Sequence, residues 1–181
     1  METLRRLLEE RFGKGMNATI GRIIVSENMW AEAMGLVSDT DAQVAFRAAW
    51  ALQWAMEHAG RPLTDYSCHI VRTFLSSQNG SVLRIYSKLL LEAMRKTDFD
   101  DITSQCIAEK SFDLLLDAKT KVAVKVWLME ILESLAGKID YVAENLAECI
   151  SRLSEAPDCT PAMTSHARNV LLRIRNGQPR I

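Results

Sequence analysis

Apolar residues recur every three or four positions along almost the whole chain, and this spacing constrains the fold more than any other feature. Such spacing places side chains on one face of an α-helix. The chain has only eight glycines and four prolines among its 181 residues. An all-β protein needs many more Gly and Pro turns, and no segment alternates as a strand would. We therefore expect an all-α fold.

Breaks in the apolar pattern predict where the helices begin and end. Gly60 and Pro62 follow the first clear helix, and the acidic turn 98–101 suits a helix start, where the helix dipole favours negative charge. Thr160 followed by Pro161 is typical of a helix N-terminus, and Pro157 should end the helix before it. The predicted helices cover about 41–58, 64–75, 82–94, 101–117, 122–135, 140–156 and 161–175, with less regular ones at 1–12, 17–25 and 27–37.

A unit of two helices repeats along the chain. The second helices of two units share the pattern 44–47 (Val-Ala-Phe-Arg) and 122–125 (Val-Ala-Val-Lys). One helical hairpin cannot bury its own apolar face, so such units are expected to stack on their neighbours. A basic or histidine residue marks the matching position in each second helix, at intervals of 37, 41 and 41 residues: Arg47, Arg84, Lys125 and His166.

This period and its motif resemble the HEAT and armadillo repeat family. Asp41 precedes Arg47 by six residues, with Val44 between them and Leu52 after, which is similar to the second helix of a HEAT repeat. In that family the Asp and Arg form a ladder between repeats, but here the acid occurs only once. The resemblance, over about Glu27 to Asn176, implies an α-α superhelix of about four helical hairpins. We expect a single domain with N-terminal capping helices at 1–26, repeats at 27–176 and a tail at 177–181.

Charge and composition narrow the class of protein. The net charge of −1 and pI near 6.3 disfavour a dedicated nucleic-acid binder, although a local basic patch stays possible. No apolar run approaches the roughly 18 residues of a membrane span, and the N-terminus lacks the apolar centre of a signal peptide. No two cysteines have CxxC spacing, so we expect small buried thiols in a reducing cytoplasm. The cysteines are Cys68, Cys106, Cys149 and Cys159.

An aromatic stripe is the first candidate for function. Phe46, Trp50 and Trp54 recur every four residues, and Trp127 lies in the matching helix. These rings could fill the core between hairpins, or they could form an exposed strip for a partner helix or peptide. Armadillo proteins that bind extended peptides carry Asn one turn after Trp. Here Trp54 and Ile131 occupy those positions, so that clamping motif is absent.

Charged residues are the second candidate. The column of Arg47, Arg84, Lys125 and His166 could form a ladder that satisfies helix ends and acidic neighbours, or it could meet an acidic peptide or phosphate backbone. Arg168 belongs to a basic C-terminal segment, which would also complement a helix dipole. The acidic residues between 98 and 117 could be a solvated face or could meet the basic end of a second copy, so a homodimer is possible.

No motif indicates catalysis. The histidines, His58, His69 and His166, lack the spacing of metal ligands, and the loop 76–81 lacks the Lys of a phosphate-binding loop and the pattern of a nucleophile elbow. The signature loop of the fumarase and adenylosuccinate lyase superfamily is also absent. We therefore expect no catalytic residue, metal or cofactor.

Two functions stay open. The first is a non-catalytic module that binds an unknown protein or peptide along a groove lined by the second helices. The alternative is a HEAT-like nucleic-acid-binding or DNA base-excision protein that uses the same groove. The candidate contacts are Arg47, Trp50, Trp54, Arg84, Lys125 and Arg168.

Overall fold

A computed structural model describes residues 4–10, 13–155 and 160–176, apart from the side chain of Ala162. Within these ranges the chain forms ten α-helices and one 3-10 turn, Leu63–Tyr66, and no strand. The predicted all-α fold is confirmed. The helices are α1 (Leu4–Glu9), α2 (Met16–Ser26), α3 (Trp30–Leu36), α4 (Ala42–His58), α5 (Ser67–Ser76), α6 (Gly80–Met94), α7 (Asp101–Leu116), α8 (Val122–Leu135), α9 (Asp140–Glu155) and α10 (Pro161–Arg175).

Side-chain caps explain several of these helix starts. The carboxylate of Asp41 accepts hydrogen bonds from the backbone N–H groups of Gln43 and Val44, at 2.7 and 3.2 Å, and these bonds lower the pKa of Asp41. Asp100 and Thr160 cap α7 and α10 in the same way. The starts predicted at 41, 101 and 160 are therefore confirmed. Pro157 lies outside the described residues.

The helices fall into two compact units, divided between Ala93 and Met94. In the first unit α4 is the central helix, because α1, α2, α3 and the 3-10 turn all pack against it. Its buried face is rich in alanine, which lets neighbouring backbones come close. The single domain inferred from the sequence stays a prediction.

Helices α2 and α4 pack closely against each other at Gly21. A Cβ atom added to Gly21 would lie 2.5 Å from Cε3 of Trp54 and 3.0 Å from the backbone oxygen of Ala51. Any larger side chain would therefore push the two helices apart. Glycine at this position lets the indole of Trp54 lie directly on the backbone of α2.

In the second unit α8 is the central helix, contacted by α7, α9 and α10. It is largely apolar, but Glu133 is buried within it. Arg173 of α10 donates from Nε and Nη2 to the two carboxylate oxygens of Glu133, at 2.5 and 2.6 Å. This bidentate pair ties α10 to the central helix.

The prediction of buried thiols is wrong for two cysteines. Cys149 is buried, but Cys68 and Cys106 are exposed, and Cys159 lies outside the described residues. Ile102 of α7, an apolar residue one turn before Cys106, is also exposed, at 79%.

Small residues with a hydroxyl group occupy several of the buried positions on α5 and α7. On α5 the buried face consists of Ser67, Ile70, Thr73 and Phe74. On α7 Ser111 is buried, and its hydroxyl donates to the backbone oxygen of Ile107 at 2.7 Å. A hydroxyl satisfied in this way tolerates burial, whereas the buried hydroxyl of Ser67 has no hydrogen-bond partner among the described residues. A pattern based on apolar residues alone therefore assigns the wrong side chains to the buried faces of these two helices.

We expect Gly21→Ala to destabilise the protein by about 1–3 kcal/mol, because the added methyl group overpacks the contact with Trp54. Gly35→Ala is the matched control. A Cβ atom at Gly35 meets no atom within 4 Å, so this helical change should be neutral or stabilise by up to about 1 kcal/mol. Urea unfolding of both variants measures the difference. Equal stabilities of the two variants would contradict the close packing of α2 on α4.

We expect Arg173→Leu to cost about 3–5 kcal/mol, because it removes the bidentate partner of a buried carboxylate. The double variant Glu133→Leu with Arg173→Leu should regain part of that loss, since the carboxylate that Arg173 satisfied is removed together with it. Arg168→Leu, at an exposed position of the same helix, should change the free energy of unfolding by less than about 0.5 kcal/mol. Denaturant unfolding tests all three, and an Arg173→Leu variant as stable as Arg168→Leu would refute a structural role for the pair.

Candidate functional site

Four aromatic rings lie one turn apart along α4. The rings of Phe46 and Trp50 are stacked with centroids 5.7 Å apart, and those of Trp54 and His58 are stacked at 4.1 Å with an angle of 7°. We call these four residues the aromatic row. Their spacing of four residues keeps them on one side of the helix. The sequence pattern identified the first three members, and the same spacing could have identified His58.

The aromatic row is partly exposed. Trp50 is 38% exposed and His58 is also exposed, whereas Phe46 and Trp54 are half-buried. The half-buried rings match the interpretation that the stripe fills the core, and the exposed rings match the interpretation that it forms a surface strip. The row lies at the edge of the core of the first unit and leaves aromatic area at the surface.

An open cleft of about 470 Å³ lies between α2 and α4, next to the aromatic row. The guanidinium carbon of Arg22 lies 5.7 Å from the centroid of the Trp54 ring, within the range of a cation–π contact. Val25 is 37% exposed at the cleft. We call this feature the α2–α4 cleft, and it is lined by Thr19, Arg22, Ile23, Val25, Ser26, Trp54 and His58.

A hydrogen bond fixes the orientation of the His58 ring, which lines one side of this cleft. Its Nδ1 lies 2.8 Å from the backbone oxygen of Trp54. Because a carbonyl oxygen can only accept, Nδ1 must carry a proton, and Nε2 is the ring nitrogen left for other contacts. The bond and the ring stacking together fix the orientation of both rings.

Arg47 lies on the same helix as the aromatic row, but its side chain binds the C-terminal end of α1. Its Nη1 donates to the backbone oxygens of Leu8 and Glu10, at 2.6 and 2.9 Å. These carbonyl groups lie at the C-terminal end of α1, where a helix leaves acceptors unsatisfied. The geometry matches the structural interpretation of Arg47, in which the basic residue satisfies a helix end.

The remaining predicted contacts occur on other helices. Arg84 is exposed on α6 in the first unit, and Arg168 is exposed on α10 in the second. Lys125 is buried in α8 with only 6% of its surface exposed. His166, at the matching position of α10, lies 3.6 Å from the buried carboxylate of Glu130. Within the column, Lys125 is buried and Arg84 is exposed, whereas Arg47 and His166 are half-buried.

A polar contact between half-buried His69 and buried Tyr86 joins α5 to α6. The Nε2 atom of His69 lies 2.6 Å from the hydroxyl of Tyr86, a fully buried residue. Burial, with the charge of Arg72 nearby, lowers the pKa of His69 to about 4, and burial raises the pKa of Tyr86. Both side chains are therefore neutral at pH 7, and their contact is structural.

The Ser/Gly-rich loop also has a structural role. Asn79 accepts hydrogen bonds from the backbone N–H groups of Ser81 and Val82, and its side-chain amide donates to the backbone oxygen of Ala42 at 2.9 Å. Asn79 therefore caps α6 and ties it to the start of α4. Over the described ranges, no group of three or more His, Cys, Asp or Glu side chains is placed to hold a metal ion. None of the described helices has both the length and the apolar character needed to cross a bilayer.

Comparison with known proteins adds one family match. A family model described as a HEAT repeat domain matches residues 4–174. It confirms the resemblance drawn from the repeat pattern, and it extends the match to α1 and α2, which the sequence pattern assigned to a cap. No curated protein and no solved structure matches the chain.

We expect stability to fall as the pH drops from about 6.5 towards 4, in part because of His69. In the unfolded chain a histidine takes up a proton near pH 6.5, whereas folded His69 resists protonation until about pH 4. The unfolded state therefore binds more protons in this window, and acid favours it. Urea midpoints at several pH values should show a shallower pH dependence for His69→Gln than for the wild type. Parallel slopes for the two proteins would contradict the burial of a neutral His69.

Proposed function

Because the chain belongs to the HEAT repeat family, we propose that it is a non-catalytic module that binds a partner protein or peptide. The partner would contact the face of α4 that carries the aromatic row, together with the adjoining α2–α4 cleft. Binding would depend on the shape and charge of a preformed helical surface rather than on a reaction.

The exposed part of the aromatic row carries this proposal. Trp50 leaves 38% of its surface in water, on a helix whose other face is the core of the first unit. Tryptophan is the residue most enriched in the energetic centres of protein interfaces, where covering it removes a large apolar area from water. A cleft open beside Trp54 adds a concave feature that a partner side chain could enter.

The predicted contacts take different roles in this proposal. Trp50 and Trp54 would meet the partner directly, and Arg47 would hold α1 against α4 beneath them. Arg84 and Arg168, both exposed, stay proposed contacts on their own units. The burial of Lys125 argues against contact with a partner, and we leave it out of the proposed surface.

The chemistry of the exposed cysteines supports a reducing compartment such as the cytoplasm. Cys68 and Cys106 are free and exposed thiols. Accessible thiols persist where cellular reductants keep them reduced and are prone to pairing elsewhere. We therefore propose that the protein works inside the cell.

Affinity capture from the native host's lysate tests the proposed function. Wild-type protein should retain a partner that Trp50→Glu loses, because a charge replaces the exposed aromatic surface. Ile102→Glu is the matched control, since it makes the same apolar-to-acidic change at another exposed position and should keep the partner. Urea unfolding of both variants checks that the loss does not reflect unfolding.

Two outcomes would contradict the proposal. In the first, no captured protein distinguishes Trp50→Glu from Ile102→Glu. In the second, the chain binds random duplex DNA at low salt with a steep loss as the salt rises, which indicates a nucleic-acid binder.

A further inference from the structure

We propose that the α2–α4 cleft accepts a bulky apolar side chain that stands next to a carboxylate in the partner's sequence. The recognition element would thus be a short acidic and apolar peptide segment. This inference rests on the proposed function and names what the site selects.

The cleft has an apolar interior of suitable size. Its volume of about 470 Å³ lies within the range of roughly 300–1,000 Å³ found for small ligand pockets, so it can hold one large side chain. Trp54 and Ile23 supply apolar surface, and Val25 remains 37% exposed. Covering this surface with a leucine or aromatic side chain would remove apolar area on both partners from water.

The charge of the cleft favours a carboxylate beside that side chain. Arg22 is exposed, and the described residues that line the cleft include no Asp or Glu. Its guanidinium donates a long hydrogen bond, 3.5 Å, to the hydroxyl of Thr19. A guanidinium has five N–H donors in a planar fork that matches the two oxygens of a carboxylate. Arg22 therefore has donors available where an acidic group of the partner would lie.

The cleft is held in shape before any partner binds. The indole of Trp54 is fixed by the stacked ring of His58 on its own helix and by the close contact with Gly21 of α2. A rigid aromatic wall loses little conformational entropy on binding, so more of the contact energy appears as affinity. This rigidity favours specific recognition of one side-chain shape over non-specific apolar binding.

A library of random short peptides displayed on phage, selected against the full-length chain, tests the inference. Enriched peptides should place Asp or Glu within one or two positions of Leu, Phe or Trp. Their affinity should fall about tenfold or more for Arg22→Glu, the loss expected when a charged hydrogen bond becomes a like-charge contact. Arg22→Lys should retain most of the affinity, and Arg152→Glu, an equal charge change at an exposed position of the second unit, should retain all of it.

The outcomes separate this inference from the proposed function. If enriched peptides bind Arg22→Glu as tightly as the wild type but lose affinity for Trp50→Glu, the acidic element is wrong and the binding surface stands. If no peptide is enriched, this inference fails, and the lysate capture with Trp50→Glu and Ile102→Glu decides separately whether the proposed function stands. If a short single-stranded oligonucleotide displaces the peptides and depends on Arg22, the cleft selects phosphate, and the peptide assignment is overturned.

Discussion

The packing of several helices around one central helix in each unit is the constraint on which the rest of this structure depends. In the first unit α4 is surrounded by α1, α2 and α3, and in the second α8 is surrounded by α7, α9 and α10. An isolated short helix is marginally stable in water, so each one persists because its neighbours cover it. The central helices are therefore fixed on several sides, and a functional group placed on one of them is held firmly.

Polar contacts refine this packing at a few places. Arg173 reaches a carboxylate buried in α8, and Arg47 reaches the carbonyl groups that end α1. Both bonds join a charged side chain to a group that would otherwise be buried or unsatisfied at high cost. They specify which neighbour docks and in which register, whereas the apolar contacts supply most of the free energy of burial. The aromatic row occurs beside such a specified contact, on the same helix as Arg47.

Local chemistry explains which features could be predicted from the sequence. Caps such as Asp41 and Thr160 act within three residues, so the starts of α4 and α10 were readable. The buried faces of α5 and α7 could not be read from apolar periodicity alone, because Ser67 and Ser111 occupy buried positions as polar residues. The partner of Arg173 lies 40 residues away and depends on how α10 docks on α8. The aromatic stripe could be recognised from the four-residue spacing of its members. The α2–α4 cleft could not, because it depends on the packing of Gly21 against Trp54 on another helix.

The exposed cysteines give the protein a practical property. Cys68 lies on α5 in the first unit and Cys106 on α7 in the second, both outside the cores. Cys149 is buried, and burial raises the pKa of its thiol, which keeps it protonated and slow to react. With Cys159 replaced by serine, each half of the molecule then offers one natural attachment point for a spin label or fluorophore. A spectroscopic distance between those two probes would measure the separation of the two units in solution without any substitution of a described buried residue.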